Sequence, residues 1–402
     1  MLLDASKKNY VIPTEYTRKI TIDGITEAYP VYKVRLDQLY YNDRNDRIAT
    51  WINKYKEENN LASLNPADEN YNDIIQDFIN ESNPQAIKKT KNNIQLVGQR
   101  EAGVVLNDGR IIDGNRRFTC LRMLNKETSK FQHMEVVILD RNYEHNEKEI
   151  KLLELAIQHG EEEKIDYNPI DKLVGLYLDV VKNELITIEE YANTTAETVN
   201  NVKKKIELSK LMVEFLEFID APNKFYIARE LELDGPLNEM PSLLRKAKNE
   251  EEAEDLKLVV FSQLLLKPHS NMTQYLRKLK NIIDSDYSEE FIDEQLGYVE
   301  KTAEIISETN DMSPNYINKA IRANDDLKDD LRASVEKFEI RTKQDIARTK
   351  PLHDLEKSLL HLENIIDGQK IVQLMKDTEK EEFSKLLNNC QELLDEIKDF
   401  TK

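Results

Sequence analysis

The sequence is poor in residues that staple, ligate or anchor a chain. It has two cysteines, Cys120 and Cys390, far apart and without metal-ligand spacing around either. That leaves no structural zinc site and fits a reducing cytoplasm. The six histidines, His133, His145, His159, His269, His353 and His361, are scattered, with no paired His or His-Glu spacing for a metal. No apolar run approaches the roughly 18 residues that a membrane span needs. Met1–Lys8 lacks a basic head followed by an apolar run, so no secretion signal is expected there. With only 10 glycines and 11 prolines, and no internal repeat or low-complexity tract, the chain reads as soluble, cytoplasmic and rich in helix.

What is abundant is charge. Charged residues make up 33% and apolar residues 40% of 402 positions. That is enough apolar content for packed cores in a chain too long for one, so two or three domains are expected. The net charge of −19 is unevenly spread. Residues 1–150 sum to −1 and residues 151–402 to −18, while 81–130 hold ten Lys/Arg against five Asp/Glu. Such a chain repels nucleic-acid phosphate on average, so any DNA contact must come from a local basic patch.

Strand-like composition is confined to the first third. Tyr16–Ile22, Tyr32–Leu36, Gly103–Leu106, Ile111-Ile112 and Met134–Leu139 read as strands. Asp23-Gly24 and Pro30 bound the first two, and Asn107-Asp108-Gly109 turns a hairpin. Helical spacing marks Ile48–Tyr55, Tyr71–Ile79 and the stretch after Gly114. From Glu147 onward the pattern is helical: Glu147–His159, Pro169–Lys182, Thr187–Asn193 and Ala196–Leu211. An acidic remainder follows, broken at Gly235-Pro236, Lys267-Pro268 and Ser313-Pro314. Beyond Leu331, apolar residues including Leu355, Leu359, Leu362 and Ile366 make a wide stripe. Another helix, of the same chain or a partner, must cover it.

One local arrangement carries chemistry. In Gly109–Arg122 a strand ends at Asp113-Gly114 and a helix opens at once with Asn115-Arg116-Arg117. The first-turn N–H groups of such a helix lack intrahelical acceptors, and its dipole favours an anion there. Gly114 permits a ligand to approach the backbone closely, and two adjacent arginines offer planar donors matched to phosphate oxygens. The alternative is a tight strand-to-helix turn whose arginines are solvated or paired with Asp113.

Asp113-Gly114-Asn115-Arg116-Arg117 resembles the phosphate turn of the ParB/sulfiredoxin superfamily. That turn reads Gly-Glu-Arg-Arg in partition proteins, Gly-Cys-His-Arg in sulfiredoxins and Asp-Gly-His-His-Arg in free-serine kinases. The flanks resemble the family in the same order. Val34–Leu39 with Asn42 and Arg47 is similar to its opening strand and Asn/Arg loop. Ile74–Asn80 and Gly98–Val105 are similar to a helix and a Gly-led strand whose main chain holds the nucleotide base. Glu154–His159 and Asn168–Lys172 are similar to the helix and the Asn-Pro-Ile-Glu segment that follow. The implied fold is an α+β N-terminal ParB/sulfiredoxin-like domain over 1–165 and then a mainly α-helical region. That region is expected to divide into 166–220, an acidic part 221–330, and C-terminal helices 331–402.

The resemblance implies a nucleotide site at Gly98, Gln99, Gly103, Asp113, Gly114, Asn115, Arg116 and Arg117, taking a nucleoside triphosphate (CTP or ATP) with Mg²⁺. The family's Glu-Asn-x-x-Arg element reads Gln158-His159-Gly160-Glu161-Glu162 here, without the Asn and the Arg. Glu161 or Glu162 is left as a metal ligand through water, or as a solvated acidic helix end. Asn115 stands where sulfiredoxins have their reactive Cys, so that chemistry is not expected. Cys120, one turn further on, reads as a packed residue.

Ile186–Ala192 and Thr195–Ile206 resemble the helix-turn-helix of partition proteins. Thr198, Asn200, Asn201, Lys203, Lys204 and Lys205 would be its DNA-facing side chains. The turn is short and Glu197 is unhelpful there, so two bundle helices with a solvated lysine edge is the alternative. The function implied is a ParB-like, nucleotide-dependent, DNA-associated protein or switch. It would form a homodimer through 331–402, and slow nucleotide hydrolysis stays open. Two other readings also stay open. One is a small-molecule phosphotransferase of the free-serine-kinase type, with Asp113 as metal ligand or base. The other is a ligand-free protein-interaction scaffold.

Overall fold

β-branched and aromatic residues concentrate where the chain forms its sheet. The computed structural model describes residues 1–4, 9–22, 25–139, 147–160, 168–309 and 311–400. Its five strands are β1 (Val11–Ile22), β2 (Ile25–Arg35), β3 (Gly103–Leu106), β4 (Ile111–Asp113) and β5 (His133–Leu139). They form one mixed sheet in the order β1-β2-β5-β3-β4, in which β3 and β5 run parallel and the other neighbours antiparallel. Val104, Val105, Val136 and Val137 are buried on both sides of the central pair, so those strands show no alternation.

The sheet is covered on both faces. One core joins Val34, Val105, Ile111 and Val136 to four helices: α1 (Ala49–Glu58), α2 (Tyr71–Ser82), α3 (Pro84–Val97) and α4 (Asn115–Thr128). The other joins Val31, Val104, Ile112 and Val137 to α5 (Glu147–Gly160) through Ile150, Leu153 and Ile157. β2 runs through Pro30, which composition reads as a boundary. Pairing with β5 starts only at Val31, and the register with β1 slips between Pro13 and Thr17. A missing N–H is tolerated at such a margin.

Among the described residues no strand follows Leu139. α6 (Pro169–Leu176) continues as a π-helical turn, Tyr177–Lys182, and is followed by α7 (Ile188–Thr194), α8 (Val199–Phe218) and α9 (Phe225–Glu230). Then come α10 (Asp234–Leu244), α11 (Glu250–Leu266), α12 (Met272–Ile283), α13 (Ser288–Ser307) and α14 (Pro314–Tyr316). The chain closes with α15 (Asp325–Asp367), α16 (Gln369–Gln373) and α17 (Asp377–Phe400). An α+β domain followed by a mainly helical region is thus the architecture. Two compact units divide the chain, Met1–Val335 and Glu336–Lys402, and in the second Leu355, Leu359 and Ile366 are exposed. No helix among the described residues is long and apolar enough to cross a membrane.

Buried charge ties the sheet domain to the first of these later helices. Lys151 on α5 is buried, with its Nζ 2.5 Å from Asp46 and 3.0 Å from Asp179 on the π-helical turn. Burial works against the ammonium, but Asp46, Glu154 and Asp179 together outweigh it and raise its pKa. Alongside, Thr50 donates to Asp171 at 2.6 Å and Arg229 donates to Thr50 at 3.0 Å. The Arg229 guanidinium also lies 4.6 Å from the centre of the Trp51 ring. Burial lifts the Asp171 carboxyl to about 6, against the pull of Arg229 and Thr50.

That shift gives a signed expectation. Between the ordinary carboxylate pKa near 4 and about 6, the folded chain holds a proton at Asp171 that the unfolded chain has released. Its contribution to stability is therefore full below that window and lost as pH rises through it. Relative to Asp171→Asn, the wild type should lose on the order of 2–3 kcal/mol between pH 4 and pH 6.5. Urea unfolding of both chains across that range reads the difference; parallel curves would contradict it.

Candidate functional site

The edge strand β4 ends at Asp113 and α4 begins at Asn115, so a single residue makes the turn. Gly114 takes it in the left-handed region, with φ +103°. A Cβ there would lie 2.7 Å from Cε of Met134 and 3.3 Å from Cα of Gly103. A Cβ on Gly103 would in turn sit 2.9 Å from the carbonyl oxygen of Asp113. The two glycines therefore meet back to back and let the start of β3 lie directly against the turn. No side chain caps α4, as none caps α1, α2, α9, α10 or α13, whereas Asn83, Thr187, Thr198, Asn249 and Asn271 cap α3, α7, α8, α11 and α12. Its first N–H groups are thus the ones a ligand anion would meet.

Charge at the turn is organised around one carboxylate. Arg117 donates to Asp113 at 2.7 Å and to the Glu101 carboxylate at 2.9 Å, and also reaches the Glu101 carbonyl at 3.2 Å. Arg18 comes in from β1, donating to the same Asp113 oxygen at 3.0 Å and to the Ala102 carbonyl. The pairing of an arginine with Asp113, one of the two outcomes open from the sequence, is therefore present for Arg117. Arg116 is half-buried one position earlier. The Oδ1 atom of Asn115 is buried and has no hydrogen-bond partner, an unmet acceptor in the first turn of α4.

Of the residues singled out from sequence, Gly103, Asp113, Gly114 and Arg117 come together directly, Asn115 and Arg116 share the first turn of α4, and Gln99 joins them only through the Glu101 carbonyl that Arg117 also reaches. Gly98 ends α3, its N–H donating to Ile94 at 2.9 Å. The side chain of Gln99 is committed to structure: its amide donates to the Glu135 carbonyl at 2.6 Å and accepts from the Glu135 N–H at 2.9 Å. Only its main chain is left for a ligand. Glu161 and Glu162 lie outside the described residues. Arg18, Glu101 and Met134 complete the site and were not singled out. Arg18 is 95 positions from Asp113 and carries no local signal. Cys120 is packed near the Ile87 carbonyl, and burial pushes its thiol up to about 12.

Both helices of the pair are present, and the second starts three residues later than its expected Ala196. α8 begins at Val199, because Ala196 adopts a left-handed φ of +54° and the Glu197 N–H closes back on the Ala192 carbonyl at 2.9 Å. The Thr198 hydroxyl is used as the helix cap. The Glu197 carboxylate accepts from Asn201 at 3.1 Å and pairs with Lys205. Asn200, Lys203 and Lys204 are exposed.

No family model and no curated protein matches this sequence. Two solved ParB structures do. A Pnob8-like ParB-N domain is 11% identical, with a TM-score of 0.32 over 67% of this chain and 99% of its own. The C-terminally truncated chromosome-partitioning protein ParB from Caulobacter crescentus, complexed with CTP-gamma-S, is 10% identical, with a TM-score of 0.19 over 62% of this chain and 98% of its own. Both overlays are loose, and the chemistry of the site rests on its own residues.

The glycine geometry makes a paired test. Gly114→Ala forces a Cβ into a left-handed position against Met134 and should cost about 1–3 kcal/mol of stability. Gly297→Ala, in α13 with nothing near its added Cβ, should instead stabilise by about 0.5–1 kcal/mol. Denaturant midpoints decide; equal effects of one sign would mean the turn is not strained by a side chain.

Proposed function

We propose that the chain binds the phosphates of a nucleoside triphosphate, CTP or ATP, at Asp113–Arg117 and works as a ParB-like, nucleotide-dependent, DNA-associated switch. The observation that carries this is the uncapped start of α4. Its N–H groups, the left-handed Gly114, Arg116 and the Arg117 guanidinium held by Asp113 and Glu101 all belong to this one turn. An anion there gains main-chain donors, guanidinium donors and the favourable end of the dipole.

In this reading Asp113 and Glu101 hold Arg117 in the place of a ligand. Binding exchanges those carboxylate oxygens for phosphate oxygens, and Arg18 keeps Asp113 from being left as a lone buried charge. Among the described residues no three His, Cys, Asp or Glu side chains could hold a metal. Mg²⁺, which takes one or two carboxylates with phosphate oxygens and water, would be held through water by Glu161 or Glu162, which lie outside the described residues. The exposed stripe through Leu355, Leu359 and Ile366 is the surface for homodimerisation in the same reading.

A thermal-shift screen of CTP, ATP, GTP and UTP with Mg²⁺ tests the ligand, since selective binding stabilises the folded chain by mass action. One triphosphate should raise the midpoint. Arg116→Ala or Arg117→Ala should then weaken its binding by about 1.5–3 kcal/mol in calorimetry, the scale of hydrogen bonds to charged groups. Absence of any shift would favour the ligand-free scaffold. Unchanged affinity in the double variant would remove the site from this turn. Turnover with a small hydroxyl acceptor would favour a phosphotransferase.

A further inference from the structure

We propose that α3, rather than the helix pair α7–α8, is the duplex-DNA-binding surface of this protein. The inference rests on the DNA part of the function proposed above and is independent of the nucleotide site. From Pro84 to Arg100 the chain has Lys88, Lys89, Lys91 and Arg100 and no acidic residue, in a protein of net charge −19. Within α3, Ile87 and Ile94 are buried against the sheet domain. Gln85, Lys88, Lys89, Asn92 and Leu96 fall on the opposite side at i, i+3, i+4, i+7 and i+11, and all five are exposed. Lys91 is closed by Glu127 at 2.5 Å. Lys88 and Lys89 have no ion pair among the described residues.

The composition of that face fits base edges as well as phosphates. Asn and Gln amides can donate to and accept from adenine, lysine can donate to guanine or phosphate, and an exposed apolar residue such as Leu96 can meet a thymine methyl. Fourteen residues give about 21 Å of helix, enough to lie across a major groove about 12 Å wide. Other basic stretches are interleaved with acid or partly paired: Lys203 and Lys204 on α8 are exposed, but that helix also carries Glu207, Glu214 and Glu217. On α8 the Glu197 carboxylate holds Asn201 and Lys205, and on the acid-free α12 Arg277 and Lys280 both close on Glu239.

The test is fluorescence anisotropy of the full chain with a mixed-sequence 24-base-pair DNA duplex, titrated between roughly 50 and 200 mM salt. Two variants are compared, Lys88→Gln/Lys89→Gln and Lys203→Gln/Lys204→Gln. Both change only exposed lysines, and unaltered thermal unfolding confirms that each is folded. The wild type should bind, and the α3 variant should flatten the log–log salt dependence by about 1.8, or 0.9 per lost phosphate contact. The α8 variant should bind as the wild type does. Loss in the α8 variant alone would overturn the α3 assignment while leaving DNA association standing. No wild-type binding at the lowest salt would overturn both, as would tighter binding to an RNA hairpin than to the duplex. A change in the α3 variant's mass by light scattering, without any DNA binding, would make this face a contact for acidic protein.

Discussion

The pairing of Arg117 with Asp113 is the contact on which the candidate site depends. Both side chains are largely covered, at 15% and 16% exposure, so neither charge can be left without a partner cheaply. Through that pair the end of β4 is fastened to the first turn of α4. The same carboxylate takes Arg18 from β1, and the same guanidinium takes Glu101 from the segment before β3. Removing Asp113 would leave two arginines facing each other. An entering anion does the reverse, replacing acceptors without removing them. Ligand binding at this turn is therefore an exchange of partners for Arg117, and its net strength is the difference between two sets of charge-assisted hydrogen bonds.

Local features of this arrangement were legible in the sequence. Strand, Asp-Gly, and a helix opening on two arginines are contiguous, and the left-handed glycine with an uncapped helix start follows from them. The hairpin at Asn107–Gly109 and the all-helical run after α5 were legible for the same reason. Features that rest on distant partners were not. The Arg18–Asp113 bond closes between strands at opposite ends of the sheet order. The Lys151 cluster draws Asp46 from the loop before α1 and Asp179 from the π-helical turn. Asp46 fits only because position 175 is glycine, where a Cβ would lie 2.4 Å from Cγ of Asp46. Sequence showed that residues 81–130 are basic without showing which lysines are exposed on one face. On α8 it showed three lysines without showing how Glu197 and the Thr198 cap use up their neighbours.

Two kinds of charge thus do different work. Buried charges at Lys151, Asp179 and Asp171 join α5, α6 with its π-helical turn, and α9 to the sheet domain, where desolvation makes each carboxylate costly to ionise. Surface charges are segregated instead, with uncompensated lysines on α3 and a strongly acidic helical remainder. The turn at Gly114 lies between these regimes, half-covered and with every identified charge near it paired.

Whether an anion can take that place is measured most directly at the backbone. Selective ¹⁵N labelling of Asn and Arg, followed by titration with Mg²⁺ and a nonhydrolysable triphosphate, reports the first-turn amides of α4 one by one. The amides of Asn115, Arg116 and Arg117 should move downfield together and saturate, with the Arg117 side-chain resonance shifting in step. Titration that left these three amides unmoved, or moved amides around Asn42 and Lys151 instead, would contradict a phosphate site at Gly114.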